Sequence, residues 1–188
     1  EVTDLLQTHK KIIFQTELIF DEKVIGDIDI HIYPFKPTVR DIESGKVLSG
    51  IEPNVNAFKK CMSAISQNFE DTNYYAYVVW AGIKKEFRGK GWGKILYITA
   101  IEELKAYLQE PFVFMSERCG GGFTSKEAHY IWNSLLNMNV YPFVKSDSGA
   151  VELDTTGMSI PAETISLFIS NPHTPTKSQS DLLVFRKN

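Results

Sequence analysis

A chain of 188 residues with 43% apolar and 23% charged side chains suits one medium-sized domain, residues 1–188, long enough to bury a real core. A net charge of −3 and a pI near 5.8 supply no global basic field, which disfavours nucleic acid as a partner. No run reaches the apolar length that spans a bilayer, the opening EVTDLLQTHKK lacks the layout of a signal peptide, and Cys61 and Cys119 are expected as reduced thiols of a cytoplasmic protein.

Residues 12–20 and 24–33 are β-favouring runs separated by Asp21-Glu22-Lys23, and they read as an antiparallel hairpin. In the second run Ile28, Ile30 and Ile32 alternate with Asp27, Asp29 and His31, so His31 is expected on a solvated polar face. Residues 34–52, broken by Pro34, Pro37, Gly45 and Gly50, read as loops with at most one short element. From Pro53 onward, Val55, Phe58, Met62, Ile65 and Phe69 step by three and four, the apolar stripe of a helix.

Residues 74–83, YYAYVVWAGI, form a nearly continuous β-favouring run suited to a strand covered on both faces. After the glycine-rich stretch EFRGKGWGK, Ile95, Ile98, Ile101, Leu104 and Leu108 mark one helix face, ending near Pro111. FVFM (112–115) reads as a short buried strand, closed by Cys119-Gly120-Gly121-Gly122. A third helix is expected from an N-cap at Thr124 or Ser125, with Ala128, Ile131, Trp132 and Leu135 on its apolar face. VYPFV (140–144) and DLLVFRK (181–187) read as closing strands, with IPAETISLFIS between them as one more helix. The order describes an α/β domain with a mixed sheet and helices on both faces; the helix after YYAYVVWAGI is a right-handed crossover that makes its flanking strands parallel.

The glycines after that strand need a physical reason, because glycine weakens a helix start. A strand passing straight into a helix exposes the helix's first N–H groups, and glycines let an anion reach them. Arg88, Lys90 and Lys94 add positive charge, so the turn reads as a diphosphate site. Lys94 is followed by Ile95, which breaks the P-loop pattern, and Gly89, Gly91 and Gly93 alternate in a way that breaks the dinucleotide fingerprint.

Arg88-Gly89-Lys90-Gly91-Trp92-Gly93 fits [QR]-x-x-G-x-[GA], preceded by Ile83 and Phe87 and followed by KILYITAIEEL. Here the sequence resembles the GNAT superfamily of acyl-CoA-dependent N-acyltransferases. Ser125-x-x-Ala128-x-x-Ile131-Trp132 resembles the family's N-x-x-A-x-x-L-Y segment, and the likeness is best over residues 74–135.

The resemblance implies a mixed, mostly antiparallel sheet with one parallel strand pair splayed to hold coenzyme A. It implies acetyl-CoA as cosubstrate, no metal, and direct acetyl transfer to a primary amine of a small molecule or protein in a ternary complex. Implied cosubstrate contacts are Val79, Ala81 and Ile83 on the strand, Arg88, Gly89, Lys90, Gly91, Trp92, Gly93 and Lys94 in the turn, and Ser125 and Trp132 beyond. An N–H between Val79 and Gly82 would face the oxyanion. The sequence departs from the family where Trp132 replaces the tyrosine that protonates the thiolate and Ser125 replaces the asparagine. Tyr77 falls where some members carry a glutamate base, eleven residues before Arg88. Tyr77, Glu117 and Tyr130 are therefore the acid–base candidates, with His129 read as a surface residue and Cys119 as a bystander. The partners implied are acyl-CoA and an amine acceptor, on a monomer or homodimer without a membrane. The alternative is a non-catalytic acyl-CoA-binding or interaction module on the same fold.

Overall fold

Alternating apolar residues around Asp21 and Glu22, both at positive φ, close the first hairpin: β1 (Ile12–Phe20) pairs antiparallel with β2 (Lys23–Tyr33). The computed structural model describes residues 11–34, 36–40, 54–69, 72–120, 124–153, 156 and 159–170. α1 (Val55–Asn68) follows, its start capped by Asn54, whose side chain accepts from the Ala57 N–H at 3.0 Å. Then come β3 (Tyr74–Ile83), a 3₁₀ turn (Lys85–Phe87), α2 (Trp92–Leu108) and β4 (Phe112–Met115). α3 (Lys126–Leu136), β5 (Phe143–Leu153) and β6 (Ser159–Ile169) complete the described elements.

Among the described residues the six strands form one sheet in the order β1-β2-β3-β4-β6-β5, in which only β3 and β4 run parallel. This is the expected mixed, mostly antiparallel sheet with a single parallel pair, joined through α2. Period-two alternation sorts the side chains onto its faces. Ala76, Val78, Phe112, Phe114, Ile165 and Leu167 pack with Leu96, Ile101 and Leu104 of α2 and with Trp132 and Leu135 of α3. On the opposite face Tyr75, Tyr77, Val113 and Met115 pack under Phe58, Cys61, Met62 and Ile65 of α1.

Four expectations change. IPAETISLFIS is strand β6, not helix: it bonds to β4 on one side and to β5 on the other. Strand β3 is covered only along its first half, since Val79 and Trp80 are exposed. His31 is buried, because it shares the α1-side face with Tyr77 rather than a solvated one. Cys61 and Cys119 are not separate thiols; they form a disulfide, Cα atoms 5.8 Å apart, tying α1 to the segment after β4. DLLVFRK lies outside the described residues. Among the described residues, no helix is long and apolar enough to cross a membrane.

Candidate functional site

Strands β3 and β4 part company early. β4 pairs with β3 only from Tyr74–Phe112 to Tyr77–Met115. Past that point the Ser116 N–H donates to the Ile165 carbonyl of β6, while among the described residues Val78 and Trp80 to Ile83 continue paired to β2 only. Among the described residues, no strand pairs with the β4 side of β3 from Val78 onward. The register with β2 slips here too: Asp29 opposes Trp80 and Ile30 opposes Val78, which leaves Val79 as the extra residue of a bulge. A bulge frees one residue from the ladder and bends its strand, so the expected splay coincides with a defined backbone irregularity.

The open edge runs directly into the glycine turn. The 3₁₀ turn follows Lys84, whose N–H donates to the Ile25 carbonyl at 2.8 Å. Arg88 folds back to donate from Nε to the Ile83 carbonyl at 2.8 Å, bracing the loop against the end of β3. Gly89 and Gly91 hold φ of +74° and +82°, and an added Cβ at either would meet nothing within 4 Å. Their glycine identity thus reflects backbone conformation and an open outer surface rather than crowding. Gly93 differs: a Cβ there would lie 2.6 Å from Ile131 Cδ1, so this glycine brings α2 close to α3.

Gly91 is the N-cap of α2 and supplies no side-chain acceptor, nor does the first turn contain a carboxylate. α1 and α3, by contrast, are capped by Asn54 and Ser125. The leading N–H groups of α2 and its positive dipole end thus meet no capping side chain, next to the exposed Lys90 and Arg88. Trp92 does not reach over the turn alone; its ring packs tilted against Phe20 of β1, with centroids 4.8 Å apart. These groups fit a diphosphate: backbone donors, fixed positive charge and open space beside Gly89 and Gly91.

The remaining candidates scatter. Ser125 Oγ accepts from the Ala128 N–H at 3.2 Å and so serves as the cap of α3. Trp132 has no exposed surface and packs between Tyr97 and Phe114, with ring centroids 5.5 and 5.3 Å away. It is a core residue and presents no surface to a cosubstrate. Tyr130 is 79% exposed on the other side of that helix.

Glu117 is buried just past β4, where its two carboxylate oxygens accept from Thr124 Oγ1 and Thr164 Oγ1, each at 2.9 Å. These bonds lock the carboxylate between the α3 entrance and β6. Tyr77 is the last residue of β3 that β4 pairs, and its hydroxyl lies 3.1 Å from His31 Nδ1. Burial, then the neighbouring Tyr33, pushes the Tyr77 phenol well above its ordinary range. His31 is pulled down to about 4, mainly by burial and then by Lys11, with Asp29 opposing and Arg118 adding. His31 is the residue that the sequence pattern missed. Its alternation with Ile30 and Ile32 gave the correct face, but nothing in the strand told that α1 and Tyr77 cover it.

A cleft of about 460 Å³ lies elsewhere, lined by Asn68, Phe69 and residues 139–143. It is remote in the sheet order from the split strands and shares no residue with the turn. Among the described residues no cluster of three His, Cys, Asp or Glu could hold a metal ion.

No family model and no curated protein matches the sequence. Solved structures do resemble it. The ribosomal-protein-S18-alanine N-acetyltransferase from Escherichia coli aligns over 94% of this chain and 81% of its own, at 9% identity and a TM-score of 0.39. A polyamine N-acetyltransferase from Drosophila melanogaster aligns over 83% and 74%, at 11% identity and 0.46. A Bacillus subtilis acetyltransferase in complex with CoA aligns over 90% and 81%, at 11% and 0.38. These values mark a distant likeness, and what the site can do rests on its own residues. The strand order, the one parallel pair opening beyond Tyr77 and the glycine turn at the start of α2 together make this a GNAT-like α/β fold.

Proposed function

We propose that the chain is an acetyl-CoA-dependent N-acetyltransferase acting on a primary amine. One observation carries the reading: an uncapped, glycine-entered helix start lies at the end of a strand whose edge opens where its parallel neighbour departs. The N–H groups of the RGKGWG turn, helped by Arg88, Lys90 and Lys94, would hold the pyrophosphate. The free edge of Val79, Ala81 and Ile83 would hold the pantetheine arm by strand-like hydrogen bonds. The thioester carbonyl would then lie toward the bulge at Val79, where a ladder-free N–H can meet the developing oxyanion. The amine attacks the carbonyl carbon, the C–S bond breaks, and the amide and free thiol leave. With Trp132 in the core, protonation of the thiolate falls to water or to a residue near Tyr77.

The buried Trp132 also favours a second reading, a module that binds acyl-CoA without turnover. Isothermal titration with acetyl-CoA, followed by thiol-release assays over a polyamine, an arylalkylamine and a peptide α-amine, separates the two. Binding with turnover supports the enzyme, binding without turnover across the panel supports the module, and no binding removes both. The expectation of a cytoplasmic protein rested in part on reduced thiols, and the Cys61–Cys119 disulfide withdraws that part of its support.

A further inference from the structure

We propose that Lys11 and Arg118 form an anion-binding site beside the split strands, and that the amine this chain accepts carries a carboxylate or phosphate-type group. The proposal rests on the acetyltransferase reading above and names its substrate class. Placement is the first ground. Lys11 stands one residue before Ile12, which opposes Ile32, so it enters β1 at the level of Tyr33. His31 and Tyr77 oppose each other on the α1-side face, with Nδ1 and the hydroxyl 3.1 Å apart. The Tyr33 ring lies beside them, its centroid 5.7 Å from that of Tyr77. Arg118 reaches the same group from the segment after β4, and both of its neighbours are fixed. Glu117 is held by the hydroxyls of Thr124 and Thr164, and Cys119 is bonded to Cys61 of α1.

The second ground is positive charge without a counter-ion. Lys11 and Arg118 lie within electrostatic reach of each other and of His31. Among the described residues neither makes an ion pair, and the carboxylate next to Arg118 in the chain already accepts from two threonines. Burial and then Arg118 pull the Lys11 ammonium below its ordinary range, which marks the cost of holding two cations together. An anion seated between them removes that cost, with the arginine offering a planar fork and the lysine a point charge. Burial and then Tyr33 keep the Tyr77 phenol protonated, with Arg118 opposing, so its hydroxyl retains a proton to donate. The third ground is the change of sign along this face. On the next row toward the bulge Asp29 opposes the exposed Trp80, and Asp29 favours positive charge where the two cations oppose it. The face thus runs from Lys11 and Arg118 to a carboxylate at the level where Val79 leaves the ladder. A molecule with an anion at one end and an amine at the other matches that order. Tyr77 and Val79 are two residues apart, roughly 7 Å along a strand, which a spacer of about three carbons between amine and anion spans.

The test compares wild type, Lys11→Gln and Arg118→Gln, each checked by thermal melting and acetyl-CoA titration. Thiol release is measured with 4-aminobutyrate, 3-aminopropylphosphonate, butylamine and 1,4-diaminobutane. Wild type is expected to favour an anionic amine over butylamine by about 10²-fold in kcat/KM, the worth of hydrogen bonds to a charged group. Whichever of the two anionic amines leads tells carboxylate from phosphate-type recognition. Each substitution is expected to shrink that preference about tenfold or more. A second readout does not need turnover. Nitrogen-15 NMR of the wild type, free and with CoA, is expected to show the His31 ring and Arg118 guanidinium signals shifting saturably with an anionic amine and not with butylamine. Equal rates for the four amines, a preference for the diamine, an unchanged preference in both variants, or unmoved NMR signals overturns the anion site. Failure of wild type to bind acetyl-CoA overturns the acetyltransferase reading instead, and the NMR titration of the free protein then decides the anion site by itself. The same titration decides it if acetyl-CoA binds without turnover. Lys11→Gln, at an exposed position, carries the comparison if Arg118→Gln does not fold.

Discussion

Gly91 enters α2 at φ +82°, a conformation that costs a side-chain-bearing residue about 1–2 kcal/mol. Its outer surface is open, so a larger residue would strain the backbone and occupy the space through which an anion reaches the helix N–H groups. Gly91→Val is expected to weaken acetyl-CoA binding by about 3 kcal/mol, or roughly 10²-fold, the worth of one or two hydrogen bonds to a charged group. Thermal melting checks that the fold survives. Gly93 has a different task, and Gly93→Leu should lower stability by about 1–3 kcal/mol through its clash with Ile131. Chemical denaturation reads that loss.

His31 makes a pH prediction at the same scale. Its pKa falls from 6.5 in the unfolded chain to about 4 in the fold. Between those values the unfolded state binds more protons, so the stability it contributes is present above pH 6.5 and is lost as pH falls toward 4. Carboxylates also titrate in that range, so the comparison is with His31→Gln. Wild type should lose more melting temperature than the variant between pH 6.5 and 5, and equal slopes would contradict the burial argument.

Among elements, the covalent tie between α1 and the segment after β4 stands out. Cys61 and Cys119 are 58 residues apart, and closing a chain that long restricts the unfolded state substantially. Reduction is expected to cost about 2–4 kcal/mol. A reductant-dependent fall in melting temperature should appear in wild type and vanish in Cys61→Ser/Cys119→Ser. The same tie holds α1 beside Gly120, whose carbonyl accepts from the Asn54 N–H. α1 in turn covers Tyr77, so this staple supports the sheet face that carries Tyr77 and Met115.

The elements also show what the sequence could tell. Helices α1, α2 and α3 were legible because their apolar stripes and the cap at Ser125 are local signals. Strand β6 was not, because Pro161 and the polar residues around it obscure an alternation that only Ile165, Leu167 and Ile169 display. It is a strand because β4 and β5 flank it, a tertiary fact. The disulfide and the burial of His31 were invisible for the same reason, since each depends on α1 lying across the sheet. The RGKGWG turn was legible to the residue: positive φ, a strand before and a helix after are encoded within ten positions. The Tyr77–His31 contact was legible only in part, since Tyr77 was singled out by its spacing to Arg88 whereas His31 comes from the neighbouring strand.

For the whole molecule, the sheet supplies one asymmetry from which the rest follows. Among the described residues five strand pairings bind six strands, and β3 runs on past its short parallel pairing with β4, leaving an edge that leads to the uncapped helix. Helices on both faces hold that opening in place, with α2 and α3 on one side and α1 on the other. The central claim is that this opening and its turn bind acetyl-CoA through the diphosphate. Isothermal titration of acetyl-CoA into wild type and Gly91→Val tests it most directly. The account predicts one saturable site in the wild type and roughly 10²-fold weaker binding in a folded Gly91→Val. Absence of binding to the wild type, or equal binding by both, would contradict it.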